Sequence, residues 1–117
     1  LRDEFLASID ILLDGAPLSV GDRAAEALWA GVPVVTRRSP LGRAGLSAVT
    51  ILAAARRSDW IFEPEAFVDG VVALASDGEA LVRLRSALRD EVKTSPLFDG
   101  ASFARAMEAA FLTALGE

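Results

Sequence analysis

The chain has 117 residues, enough for one domain or part of one, and its 52% hydrophobic content can supply a packed core. It contains no cysteine and no histidine, which excludes the usual zinc ligand sets, thiol nucleophiles and histidine acids or bases within it. With 12 basic and 17 acidic residues the formal net charge is −5, so nucleic acid is not an expected partner. Since no apolar run approaches the length of a membrane span and no signal peptide is recognisable, we expect no membrane partner and a cytoplasmic location.

Residues 1–8 predict a short helix that carries Leu1, Phe5 and Leu6 and leads directly into the first strand. Neither a natural amino terminus nor a leader is recognisable before this helix. We therefore expect residues 1–117 to be one partial domain, the end of a longer protein.

The stretch that follows predicts a strand, a glycine-bearing loop, a helix and a second strand. Ile11–Leu13 is a continuous apolar run, typical of a parallel strand covered on both faces. A helix is predicted over Asp22–Ala30, with Asp22 as its cap and Gly31 at its end. Val32–Thr36 predicts the next strand.

The second half of the chain adds one strand and several helices. A helix is predicted from Arg43 to Ala55, a third strand over Asp59–Phe62, and a further helix with Pro64 in its first turn. Ser76 to Glu79 has the pattern of a capping box that opens an amphipathic helix. The last helix is predicted over Ser102–Leu115.

The helix that follows the capping box shows a clear division of its side chains. Apolar residues recur at helical spacing and are expected to face the core: Leu81, Leu84, Leu88 and Val92. Charged residues occupy the other side and are expected to face solvent: Arg83, Arg85, Arg89, Asp90 and Lys93.

Strands that alternate with helices predict an α/β fold with about three parallel strands, flanking helices and a helical C-terminus.

In such sheets, ligands bind where a loop leaves the carboxyl end of a strand and opens a helix. The corresponding residues here are Gly21, Asp22, Arg23 and Glu26. Gly21 would let a phosphate approach the backbone, Arg23 would pair with it, and Glu26 would accept hydrogen bonds from a ribose. A purely structural interpretation is also open: Asp22 as a cap, Glu26 favouring the helix dipole, and Arg23 in solvent.

Further side chains are candidates with two interpretations. Arg37 and Arg38 follow the second strand at the same edge of the sheet, so they either share an anion site or are solvated. Arg43 either reaches the cleft or lies on a helix start. Trp29 and Trp60 are expected to serve core or interface packing.

Several segments together resemble the carboxyl-terminal lobe of the O-GlcNAc transferase/SPINDLY family of glycosyltransferases. They are ILLD at 11–14, EALWAGVPVVT at 26–36, the R-x-G-x-S pattern that begins at Arg43, and SPLFD at 95–99. The resemblance extends over the chain from Phe5 onwards. It implies the C-terminal part of a Rossmann-like GT-B lobe.

The resemblance also implies partners and chemistry. Family members transfer a sugar from UDP-GlcNAc, or from GDP-fucose in the SPINDLY branch, to Ser or Thr of a protein acceptor, with no metal. They carry tetratricopeptide repeats and an upstream catalytic lobe, towards which the final helix 102–115 would pack. A catalytic lysine and other groups lie upstream in this family, so no catalytic residue is assigned here.

At the donor loop the sequence both follows and departs from the family pattern. Asp14, Pro17 and Glu26 match it, the glutamate being SPINDLY-like. The family's diphosphate-binding threonines are replaced by Gly21, Asp22, Arg23 and Ala24. Two explanations are open: the arginine replaces hydroxyls as a phosphate ligand, or the lobe has become a non-catalytic one used in protein interaction or regulation.

Overall fold

The computed structural model of the chain describes residues 2–15, 19–39 and 47–116. Within these ranges the strands are β1 (Leu12–Asp14), β2 (Val34–Arg37) and β3 (Ile61–Phe62). The helices are α1 (Arg2–Ser8), α2 (Arg23–Trp29), α3 (Ser47–Ala54), α4 (Phe67–Ser76), α5 (Gly78–Lys93) and α6 (Gly100–Ala114). Short 3-10 turns occupy Ser58–Trp60, Pro64–Ala66 and Pro96–Phe98. None of the helices in the described ranges is long and apolar enough to cross a membrane.

The three strands form one parallel sheet in the order β1-β2-β3. Leu12 pairs with Val34 and Asp14 with Thr36, while Arg37 pairs with Phe62 across the other side of β2. The predicted α/β fold with three parallel strands and flanking helices is therefore confirmed. The carboxyl ends of β1 and β2 lie side by side at one edge of the sheet.

Strand boundaries differ from the predictions by one or two residues. Asp14 belongs to β1, although it was predicted to end the apolar run, because it stays in register with Thr36. β2 begins at Val34 and includes Arg37. β3 is shorter than predicted because the 3-10 turn Ser58–Trp60 replaces its first part.

The two longer strands are covered to different extents. Val34, Val35 and Thr36 of β2 are fully buried, as expected of a central parallel strand. On β1, Leu12 is buried but Leu13 remains 49% exposed. The prediction that β1 is covered on both faces is wrong for the described residues, since only the face of Leu12 and Asp14 is covered.

Helix α2 ends at Trp29, one residue earlier than predicted, and the chain turns away from it at Gly31 as predicted. The Gly31 amide donates to Leu28 O (3.1 Å) and the Val32 amide to Ala27 O (2.8 Å), so the turn closes on the last helical carbonyls. Gly31 has a φ of 81°, and a Cβ added there would lie 3.0 Å from Arg85 O. Both the left-handed backbone and this close approach favour glycine.

The predicted capping box before α5 is displaced by one residue. Asp77, not Ser76, is the cap, and its carboxylate accepts from the Ala80 amide (3.0 Å). The Ser76 hydroxyl instead donates to Val72 O (2.5 Å) because α4 continues through Ser76.

Helix α5 packs on α2 through a buried apolar face and through two arginines. Leu88 and Val92 are fully buried, as predicted. Arg85 was predicted to face solvent but is partly buried, whereas Arg89 is exposed as predicted. Both donate to carbonyls at or just after the end of α2. Arg85 Nε reaches Gly31 O (3.3 Å) and Arg89 Nε reaches Trp29 O (2.5 Å). Cationic donors are favourable at this position because the last helical carbonyls lack partners within the helix.

Helix α6 begins two residues earlier than predicted. Asp99 caps it by accepting from the Ser102 amide (3.0 Å), and hydrogen bonds from the Ser102 hydroxyl and amide lower the pKa of Asp99. Residues 101–116 are all exposed, although the helix carries a row of large apolar side chains. The packing of this helix towards an upstream lobe stays a prediction.

Candidate functional site

The candidate site lies where β1 and β2 end. The chain leaves β1 at Asp14, passes through Ser19 to Gly21 and enters α2 at Arg23. This is the edge at which open α/β sheets bind ligands. Pro17, Arg43 and Gly45, on which part of the resemblance depends, lie outside the described residues.

A buried carboxylate anchors the loop that forms the site. Asp14 is 1% exposed, and its oxygens accept three hydrogen bonds. The Val20 amide donates to one oxygen (2.6 Å); the Ser19 hydroxyl (3.1 Å) and the Thr36 hydroxyl donate to the other. These donors satisfy a group that would be costly to bury alone. The loop is thereby joined to both β1 and β2.

Backbone conformation at the loop's end departs from the sequence prediction at one residue. Gly21 has a φ of 66°, a left-handed conformation that favours glycine. Asp22 occupies the cap position of α2, but its backbone is already helical and its side chain makes no capping hydrogen bond. The prediction that Asp22 caps the helix is therefore wrong. Its carboxylate is exposed instead.

Three of the four predicted site residues surround one cavity. Asp22, Arg23 and Glu26, together with Val20, line a cavity of about 190 Å³, and Gly21 lies between two of these residues. Complete small-molecule pockets measure about 300–1,000 Å³. The cavity is therefore smaller than a complete ligand pocket and corresponds to part of one. Two carboxylates and one guanidinium lie at its surface. The specific roles assigned to these residues stay predictions.

Arg37, the last residue of β2, and Arg38, which follows it, do not line this cavity. Arg38 forms an exposed ion pair with Glu63 (3.2 Å), and its amide donates to Phe62 O (2.9 Å). Arg37 is partly buried at the end of β2, and its Nε has no hydrogen-bond partner among the described residues. The shared anion site is thus not formed through Arg38.

A larger groove runs along α2 from Glu26. It measures about 630 Å³ and was not predicted from the sequence. Its lining residues are Leu6, Ala25, Glu26, Trp29, Ala30, Arg89 and Phe98. The Trp29 ring lies 5.1 Å from that of Phe98 and remains 40% exposed. Trp60, in contrast, is a core residue as predicted, 4% exposed beneath the Arg57 guanidinium at 3.8 Å.

The chain is similar to curated plant proteins that share one name, "Probable UDP-N-acetylglucosamine--peptide N-acetylglucosaminyltransferase SPINDLY". It is 34% identical over 104 residues to the protein from Solanum lycopersicum and 36% identical over 104 residues to that from Arabidopsis thaliana. Each match covers 88% of this chain and 11% of the relative. No protein-family model matches the sequence.

A solved structure extends this similarity to the fold. A mutant of the O-GlcNAc transferase of Thermobaculum terrenum superposes with a TM-score of 0.78 at 33% identity, over 92% of this chain and 21% of that one. The chain belongs to the O-GlcNAc transferase/SPINDLY family. The resemblance noted in the sequence is confirmed, and the open three-stranded sheet matches part of the family's GT-B lobe. The chain spans about a ninth of the length of its curated SPINDLY relatives.

Proposed function

We propose that this chain forms the nucleotide-sugar-binding edge of a protein O-glycosyltransferase, with a UDP-GlcNAc or GDP-fucose donor and Ser or Thr acceptors. The observation that carries the proposal is the cavity lined by Asp22, Arg23 and Glu26 at the ligand-binding edge of the sheet. The names of the relatives agree with it, and they give no support to a non-catalytic lobe.

In this proposal the diphosphate of the donor lies against Gly21 and Arg23. Gly21 has no side chain to keep an anion from the backbone, and its left-handed φ turns the loop into α2. Arg23 is exposed at the cavity and can donate two parallel hydrogen bonds to phosphate oxygens. The guanidinium thus takes the place of hydroxyl donors.

Glu26 would bind the ribose. It lies one helical turn beyond Asp22 and lines both the small cavity and the larger groove, so a ligand bound in either can reach its carboxylate. Carboxylates accept hydrogen bonds from ribose hydroxyls in other dinucleotide-binding α/β folds.

The remainder of the enzyme would come from upstream of this chain. The cavity supplies only part of a donor site, and no catalytic residue is assigned here. The proposal includes an upstream lobe with helical repeats, a cytoplasmic location and transfer without a metal.

Calorimetric titration of the full-length protein with UDP, GDP and their sugars tests the proposal. We expect either the uridine or the guanosine nucleotides to bind. Arg23→Ala and Glu26→Ala should each weaken that binding roughly tenfold, since charge-assisted hydrogen bonds are lost.

Matched controls are Arg83→Ala and Glu79→Ala, which remove the same side chains from the exposed side of α5. Both should bind like the wild type. Absence of heat with every nucleotide would overturn the proposed function, and unaltered binding by both site variants would place the donor elsewhere.

A further inference from the structure

We infer that Asp14, Ser19 and Thr36 form a positioning network that holds the donor loop in its binding conformation. This inference rests on the proposed function, because it assigns a role at the same cavity. The three residues do not line the cavity and are not offered as ligands of the donor. Their contribution is to fix the backbone from which the cavity is built.

The centre of the network is the Asp14 carboxylate. It is buried at the end of β1, directly beside Thr36 of β2 in the sheet register. A buried carboxylate holds its neighbours firmly because each donor that it loses leaves an unsatisfied charge in a site of low polarity. Its hydrogen bond with the Thr36 hydroxyl joins two strands whose relative position is already fixed.

The second oxygen atom of Asp14 extends this fixed point into the loop. The Val20 amide donates to it at 2.6 Å, six residues along the chain. Val20 is itself a wall of the cavity, and Gly21 follows it immediately. A shift of the Val20 amide would therefore move the cavity wall at Val20 and the left-handed turn at Gly21, which together position Arg23.

Ser19 connects the loop to a third element. Its hydroxyl donates to Asp14 (3.1 Å) and accepts from the Ala48 amide (2.8 Å) in the first turn of α3. One hydroxyl thus uses both its donor and its acceptor capacity, tying the donor loop to β1 and α3 together. Alanine at this position would release both contacts at once.

The test is donor affinity in the full-length protein with Ser19→Ala and Thr36→Val. We expect each variant to raise the Kd and KM for the nucleotide sugar roughly three- to tenfold, with little change in kcat. Thr36→Val loses its hydrogen bond to Asp14 and should lie at the lower end of this range, whereas Ser19→Ala loses two hydrogen bonds and should lie at the upper end. Ser19→Thr retains the hydroxyl and should bind the nucleotide sugar like the wild type. Ser86→Ala, which removes a hydroxyl that donates to Arg83 O on α5, should leave Kd and KM unchanged.

Amide hydrogen exchange without nucleotide provides a readout that does not depend on donor binding. Faster exchange at Val20 in Asp14→Ala, which removes both acceptor oxygens, and at Ala48 in Ser19→Ala is expected. Unchanged exchange would overturn the network, and faster exchange with unchanged affinity would overturn its positioning role. If the wild type binds no nucleotide, the proposed function fails together with the donor part of this inference, whereas accelerated exchange would still establish that the network orders the loop.

Discussion

The charge of the candidate site is decided by neighbouring residues with opposite effects. Arg23 brings a guanidinium to the cavity, but Asp22 and Glu26 bring two carboxylates. Because Asp22 makes no capping hydrogen bond, its charge is not directed into the amides of α2. A bound diphosphate would therefore experience the repulsion of Asp22 as well as the attraction of Arg23.

Asp22→Asn is expected to strengthen nucleotide binding about threefold to tenfold. Two charges about 4 Å apart at an exposed site interact by roughly 1 kcal/mol or somewhat more, and the amide removes this repulsion while keeping the shape. Calorimetric Kd values for the two proteins measure the change, and the gain should shrink as salt is added. Asp90→Asn on the exposed side of α5 is the control. Weaker binding by Asp22→Asn would instead mean that its carboxylate accepts a hydrogen bond from the donor.

The sequence predicts which residues gather at the site better than it predicts what each one does there. A glycine-bearing loop between a strand and a helix indicated Gly21, Arg23 and Glu26. The capping role of Asp22 was wrong because a cap depends on the backbone angles of that residue, which are already helical. The role of Asp14 emerges only in the fold, since its partner Thr36 is 22 residues away along the chain.

At the scale of elements, helix ends are stabilised by contacts that come from far along the chain. Arg85 and Arg89, one turn apart on α5, both donate to carbonyls at the end of α2. Arg85 also pairs with Asp10 (2.7 Å), before β1. Periodicity predicted the apolar face of α5 correctly, but it could not distinguish a solvated arginine from one that reaches a neighbouring helix.

The turn that follows α3 contains a strained residue, which leads to a stability prediction. Arg56 has a φ of 61°, and the Arg57 amide donates to Leu52 O (2.8 Å) across it. A left-handed conformation costs a non-glycine residue roughly 1–2 kcal/mol. Arg56→Gly should therefore raise the free energy of unfolding. The gain should be at most about 1 kcal/mol, because glycine also increases the conformational entropy of the unfolded chain.

The matched control for this substitution is Arg83→Gly, which makes the same exchange at an exposed position inside α5. It should lower stability by about 1 kcal/mol, because glycine is unfavourable within a helix. Urea unfolding of the three proteins measures both effects. A loss of stability in Arg56→Gly would show that its side chain contributes more than its backbone costs.

The whole molecule is more extended than its length predicts. Its radius of gyration is 15.7 Å, whereas a compact chain of this length has about 13 Å. Helix α6 is exposed along its length, and one side of β1 is uncovered at Leu13. The alternation of strands and helices predicted the sheet, but it did not predict which faces of the sheet and helices remain uncovered.

Helix α6 presents a continuous apolar row to solvent. Phe103, Met107 and Phe111 are 68%, 38% and 59% exposed and recur at intervals of four residues, followed by Leu115 at 75%. Such a row is expected to be buried in the functional protein, since a large apolar side chain gains about 1.5–3 kcal/mol on full burial. We expect the upstream lobe that the family resemblance implies to bury this row.

Phe111→Glu in the full-length protein is therefore expected to detach α6. Limited proteolysis should cleave near the start of the helix much faster than in the wild type, and the melting temperature should fall by several degrees. In the isolated chain the same substitution should leave both properties nearly unchanged, because the side chain is already exposed there. Ala109→Glu, which adds the same charge away from the apolar row, separates loss of the interface from a general effect of charge on the helix. Equal sensitivity of Phe111→Glu and wild type in the full-length protein would show that α6 does not pack against the upstream lobe.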